Sequence, residues 1–269
     1  MHGAARARDP AAQPARLFAV ECLAVLSSFD ARTRAELLRQ GAGAALVGAL
    51  RAEARGPAEP AAVGPAAVAL LNLAVTDDDA RLALVREGAG AALGAAAQLP
   101  AAHGTDAQLQ AVRALVALSA CTRSVDAVDA LVNGEARCVP LLLALARAPQ
   151  LRGGPQQLAA LEALVNLSAG GGRTERAFVA EGAVEQLVAL AEEWAGREQG
   201  AWAVKILANL SQAPEVRPEL KAKGALQALA KAARNERAPT AGRPPSGPLK
   251  GGDDVAALAA AALSNLAVG

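Results

Sequence analysis

The 269-residue chain has 27 basic and 26 acidic residues, a net charge of +1, which excludes the strong basic excess of a nucleic-acid-binding surface. Over half of its residues are apolar, yet aromatics make up 2% and tyrosine is absent, so Ala, Leu and Val have to fill the core. Ala and Leu are strong helix formers, and of the strand-favouring residues only Val is plentiful, which points to an all-α protein.

At the N-terminus Arg6, Arg8 and Arg16 precede the apolar run LFAVECLAVL (17–26). A secretory or transit signal has this look, but Glu21 interrupts the run. No stretch reaches the roughly 18 apolar residues of a membrane span. Residues 1–13 are expected to be a disordered tail. The expected location is the cytoplasm, with the nucleus open to the chain as well, and without direct membrane insertion.

CLAVLS (22–27) introduces a phrase that returns along the chain as ALLNLA (69–74), ALVALS (114–119), ALVNLS (163–168), ILANLS (206–211) and ALSNLA (262–267). The position of Asn72 is held in turn by Val25, Ala117, Asn166, Asn209 and Asn265, at intervals of 47, 45, 49, 43 and 56. A second phrase alternates with the first: LLRQGAGAALVGAL (37–50), LVREGAGAALGAA (84–96), LVNGEARCVPLLLALA (131–146), FVAEGAVEQLVALA (178–191) and LKAKGALQALAKAA (220–233). Its glycines, Gly41, Gly88, Gly134, Gly182 and Gly224, keep nearly the same period. Two phrases in step define a repeat architecture.

Each repeat parses as three helices. A short first helix such as 78–86 closes at a Gly, which tolerates the left-handed conformation of a helix end. A second helix follows at once, with Leu187, Leu190 and Ala191 at helical spacing in the fourth copy. Pro57, Pro100, Pro149 and Gly196 then break the chain. A longer third helix ends in the NLA/NLS phrase, with Leu161, Leu164 and Leu167 recurring every three residues. Pro65 and Pro155 fall near third-helix starts and Pro140 near a second-helix start, where a missing N–H costs little.

This pattern of three helices, a Gly between the first two and Leu-x-Asn-Leu-Ala/Ser closing the third resembles the armadillo repeat over residues 14–268. ALLNLAVTDDDARLALVREGAGAAL (69–93) is especially similar to repeats of plant and algal U-box armadillo proteins and vacuolar armadillo scaffolds. HEAT repeats, the near competitor, are two-helix units without that Gly. The resemblance implies an all-α, right-handed α-solenoid (superhelix) of armadillo-like three-helix repeats. A partial leading repeat would span 14–28, with fuller repeats at about 30–75, 77–120, 122–169, 172–211 and 213–268, and a Pro/Gly-rich disordered insertion at about 237–252. The chain stops at Gly269 directly after a third helix with no polar capping unit, so a piece of a longer array is expected.

The resemblance also implies a function. Third helices line the concave groove of armadillo folds, and the closing Asn usually bonds the backbone of an extended peptide there. By position that part falls to Asn72, Asn166, Asn209 and Asn265; alternatively these amides bond helix ends and connecting loops. Importin-alpha proteins carry Trp four residues before the Asn in several repeats. Here those positions hold Glu21, Val68, Arg113, Glu162, Lys205 and Ala261, and Arg113 and Lys205 would repel a basic nuclear-localisation peptide. Arg113, Glu162 and Lys205 make the face mixed in charge. Trp202, on the same face, is either a binding hot spot or packed between repeats. Six stacked units, with helices about 8–10 Å apart, would give a groove on the order of 50 Å, enough for roughly 15 extended residues. The expected function is a scaffold binding extended peptide segments of protein partners. The alternative is the substrate-recruiting armadillo portion of a ubiquitin ligase. A monomer is expected, with no nucleic-acid partner.

Chemistry is not expected. The histidines are His2 and His103, and Cys22, Cys121 and Cys138 have no close metal-ligand spacing, so they read as free, mostly buried thiols. No nucleophile elbow is present. GAGAALG (88–94) and SAGGGRTE (168–175) lack the Lys-Ser/Thr of a phosphate loop and read as helix junctions. TDDDAR (76–81) lacks calcium-loop spacing and reads as a helix cap. Neither an enzyme, a cofactor nor a metal is expected.

Overall fold

A computed structural model of the chain describes residues 12–55, 61–120, 125–171, 173–235 and 255–268. The described residues form helices and connecting turns without a strand. By contacts they divide into two compact units, Met1–Leu118 and Ser119–Gly269.

The first unit contains α1 (Ala12–Ser27), α2 (Ala31–Arg39), α3 (Ala42–Glu53), α4 (Val63–Ala74), α5 (Asp78–Arg86), α6 (Ala89–Ala97) and α7 (Asp106–Ser119, whose last residue belongs to the second unit). The second contains α8 (Val125–Val132), α9 (Cys138–Arg147), α10 (Pro155–Ser168), α11 (Arg173–Ala180), α12 (Ala183–Glu193), α13 (Glu198–Ser211), α14 (Arg217–Ala222), α15 (Ala225–Asn235) and α16 (Val255–Ala267). The triplets α2–α4, α5–α7, α8–α10, α11–α13 and α14–α16 are the three-helix repeats, with α1 as a leading third helix. That helix begins at Ala12, inside the segment expected to be a tail. Residues 1–11, with His2, lie outside the described residues, as do Pro57, Cys121 and the expected insertion at 237–252.

Local chemistry sets the element ends. Asp30 and Asp77 cap α2 and α5, each accepting a hydrogen bond from the N–H three residues on, at 2.8 and 2.7 Å. Asp78 and Asp79 follow in the first turn of α5, where the helix dipole favours negative charge. Between first and second helices the chain turns through a left-handed residue, Gly88 (φ 88°) before α6 and Gly182 (φ 66°) before α12. In the third repeat Gly134 stands out of register, and Arg137 takes the left-handed conformation itself (φ 38°). Buried glutamines close the turn before two third helices. Gln108 Nε2 donates to the Ala97 carbonyl at 2.8 Å while its Oε1 accepts from Gly104 N–H. Gln157 bonds Ala146 and Gly153 in the same way.

Equivalent helices pack on one another. In the first unit α4 lies on α1 and α6 on α3; in the second α13 lies between α10 and α16, and α12 between α9 and α15. Counted from the closing Asn position, residues six and three before it and one after it are buried in every third helix from α4 onward. They read Ala66, Ala69, Leu73; Ala111, Ala114, Leu118; Ala160, Ala163, Leu167; Ala203, Ile206, Leu210; Ala259, Ala262, Leu266. Four of the five sets are Ala-Ala-Leu.

Some buried positions are polar. Glu175 on α11 is 5% exposed, and its Oε2 has no hydrogen-bond partner among the described residues. Burial pushes its carboxyl above the ordinary range, and Glu215 adds to the shift. Cys138 is buried, which raises its thiol to about 12, whereas Cys22 is exposed on α1. The folded state therefore favours protonated Glu175. Its stability is greatest below the unfolded carboxyl value and falls as pH rises through the folded one. Glu175→Gln should raise the urea midpoint at pH 7, with the gain shrinking toward pH of about 4; a constant gain across that range would refute the burial argument. An added methyl at Gly182 meets nothing within 4 Å, so Gly182→Ala tests the backbone alone. It should cost about 1–2 kcal/mol in urea unfolding, whereas Arg137→Gly should raise the midpoint.

Candidate functional site

The four asparagines singled out by the repeat share one environment. All are half-buried on third helices. Asn72 on α4 donates its Nδ2 to Ser27 Oγ on α1 at 3.1 Å. Asn166 on α10 donates to Ser119 Oγ at 3.2 Å, Asn209 on α13 to Ser168 Oγ at 2.9 Å, and Asn265 on α16 to Ser211 Oγ at 3.1 Å. Each acceptor closes the preceding third helix, two residues beyond that helix's own Asn position. Asn209 also reaches the Val165 carbonyl at 3.4 Å.

The serines determine which way round the amides stand. Ser27, Ser168 and Ser211 each donate their hydroxyl proton to the carbonyl three residues earlier, at 2.8, 2.8 and 2.7 Å. A hydroxyl has one proton. Once it is given to the helix, the oxygen offers only lone pairs, so the amide must present N–H to it and turn Oδ1 away.

The pairing holds along the whole chain. Ser27, Ser119, Ser168 and Ser211 are each followed one repeat later by an Asn. The one interior repeat that closes on Ala, at Ala74, is followed by Ala117, and both are buried. The Asn and Ser phrases were visible in the sequence; their mutual dependence was not, because the partners lie 41 to 54 residues apart.

The other expected face residues are placed as follows. Arg113 on α7 is exposed and Glu162 on α10 half-buried. In the second unit Lys205 on α13 holds its Nζ 5.7 Å from the centre of the Trp202 ring. Trp202 is 8% exposed, and its Nε1 is buried without a partner among the described residues. The ring is therefore packed under Lys205 rather than open on the face, and what that position presents is chiefly the lysine. The second unit brings Asn166, Asn209 and Asn265 into one row on α10, α13 and α16; Asn72 and Arg113 belong to the first. Sequence reading missed Trp194, packed at the end of α12 with the Arg152 and Arg197 guanidinium groups each 5.2 Å from its ring centre. Its neighbours come from turns that show no periodic signal. Among the described residues no group of three or more His, Cys, Asp or Glu could hold a metal ion, and no helix is long and apolar enough to cross a membrane.

No family model matches the chain, and no curated protein matches it in sequence. Solved structures do. A designed armadillo repeat protein superposes with a TM-score of 0.70 at 21% identity, over 97% of this chain and 96% of its own. A second designed armadillo repeat protein, solved in complex with the peptide (KR)4, gives 0.70 at 21% identity over 96% and 95%. An engineered protein gives 0.70 at 23% over 98% and 93%. The fold is the all-α armadillo repeat solenoid.

The pairing can be tested where it is missing. Ala117→Asn alone should destabilise the chain by about 1–3 kcal/mol, because it buries an amide without a partner. Adding Ala74→Ser should recover about 1 kcal/mol. A double-mutant cycle in urea measures the coupling, and a coupling of zero would contradict the Ser–Asn rule.

Proposed function

We propose that the chain is a protein-interaction scaffold that holds extended peptide segments along its row of third-helix asparagines. The observation that carries this reading is the orientation of the amides. Each is held by a serine through one N–H, which turns the carbonyl oxygen of the amide away from that tie. An extended peptide offers backbone N–H and C=O groups at regular spacing, so a row of amides in one orientation suits its main chain. Main-chain bonding supplies affinity without demanding a sequence, and neighbouring side chains supply preference.

Charge gives the direction of that preference. Glu162 and Lys205 stand on the same face of adjacent helices in the second unit, so the favoured segment carries both a basic and an acidic residue. A uniformly basic segment such as the (KR)4 bound by the designed neighbour would meet Lys205 unfavourably. The amides and charged side chains that this face presents support binding. The substrate-recruiting portion of a ubiquitin ligase would use the same face but needs a further domain, and no observation favours it. A cytoplasmic location, with the nucleus also open, belongs to this reading.

A displayed library of extended peptides screened against the full chain tests it. Selected peptides should lose about tenfold or more in affinity with Asn166→Ala/Asn209→Ala, the loss of two hydrogen bonds, while circular dichroism stays that of the parent. Unchanged affinity in a folded double variant would remove the groove reading.

A further inference from the structure

Within the second unit α13 lies between α10 and α16. Residues four and seven before each closing Asn share its helix face, so every helix sets a side chain beside its amide. On α10 this is Glu162, half-buried and with no ion-pair partner among the described residues. On α13 it is Lys205, whose Nζ rests 5.7 Å from the centre of the buried Trp202 ring. On α16 it is the exposed Ala261, with half-buried Leu258 a turn before it. Along the row of Asn166, Asn209 and Asn265 the face is therefore acidic, basic and apolar in turn.

The two charges stand differently. Glu162 is on a helix adjacent to Lys205 and does not close on it, so its carboxylate stays open to a cation from outside. Lys205 lies over an aromatic ring. The contact holds the ammonium in place and lowers the cost of ordering it around an anion.

Periodicity sets the spacing of residues that could meet them. Alternate residues of an extended chain face one side about 6.6 Å apart, and the next on that side lie about 13 Å away. Packed neighbouring helices are about 8–10 Å apart. A step of two residues per helix is the closer match, and the flexible Glu162 and Lys205 side chains take up the difference. A step of three would suit the distance but turn every second side chain off the face.

On the reading that a peptide lies along these amides, we infer that the second unit selects segments in which basic, acidic and apolar residues alternate with one residue between each. The basic residue meets Glu162, the acidic one Lys205, and the apolar one Leu258 and Ala261. A segment of the same composition with its charges exchanged meets like charge at both charged positions.

Fluorescence anisotropy of the full chain with dye-labelled, Thr-rich peptides tests this. One peptide carries Lys-Thr-Glu-Thr-Leu and another Glu-Thr-Lys-Thr-Leu, and each is also made in reverse order to cover both chain directions. All four have the same composition and net charge. The tighter of the two peptides with central Glu should bind about tenfold or more tightly than either with central Lys, and the gap should narrow with added salt. The Glu162→Lys/Lys205→Glu variant should reverse the preference. Should that variant lose helicity by circular dichroism, Glu162→Gln and Lys205→Met, which keeps an apolar stem on Trp202, should each reduce the gap severalfold. Replacing the peptide's Leu by Ser should weaken binding about fivefold.

Equal affinity for the two orders, a preference that survives the charge exchange, or no binding by any of the four peptides overturns the inference; equal binding of the Leu and Ser peptides removes its apolar position. The two readings fail separately. Binding that ignores order but is lost in Asn166→Ala/Asn209→Ala keeps the row of amides and removes the selection. A preference that follows Glu162 and Lys205 while Asn166→Ala/Asn209→Ala binds like the parent keeps the selection and removes the amides.

Discussion

A third helix in this chain is apolar on two opposed sides, and its own repeat can cover only part of that surface. The receiving side (Ala203, Ile206 and Leu210 on α13) needs a helix before it, and the covering side (Val204, Ala208 and Ser211) needs one after it. Burial of apolar area is the main favourable contribution to folding, so such a helix is stable only inside a stack. Small residues at two of the three receiving positions let neighbouring helices approach closely, and Leu at the third fills the space left between them. This accounts for a core built with few aromatics.

The polar pairs follow from the same geometry. Once two third helices are in register, the Ser that ends one lies beside the Asn that ends the next. A buried hydroxyl or amide without a partner would be costly, so the two residues occur together or are both replaced by Ala. The serine's proton stays with its own helix, and that leaves the amide one orientation. Packing register and hydrogen bonding are therefore one arrangement, and a change at Ser168 reaches, through Asn209, the face proposed for peptide binding.

Most of the helical organisation was legible in the sequence, because it is written in local signals: the period of the two phrases, left-handed glycines such as Gly182, Asp caps and prolines near element starts. Residue roles were less legible. Asn72, Asn166, Asn209 and Asn265 read as peptide contacts, with ties between helix ends as the alternative, and the structure adds a serine tie to each through its Nδ2. Trp202 read as exposed or packed, and it is packed beneath Lys205. Gln108 and Gln157 gave no signal at all, since a lone Gln near a helix start has no period to betray its burial.

By itself the sequence determined the repeat, its three-helix unit and the all-α class, since these depend on spacing along the chain. Only the tertiary structure decided which side of each third helix meets its predecessor and which hydroxyl each amide holds. Those outcomes depend on residues 41 to 54 positions apart being brought within hydrogen-bonding distance, and no local pattern encodes a distance across the stack.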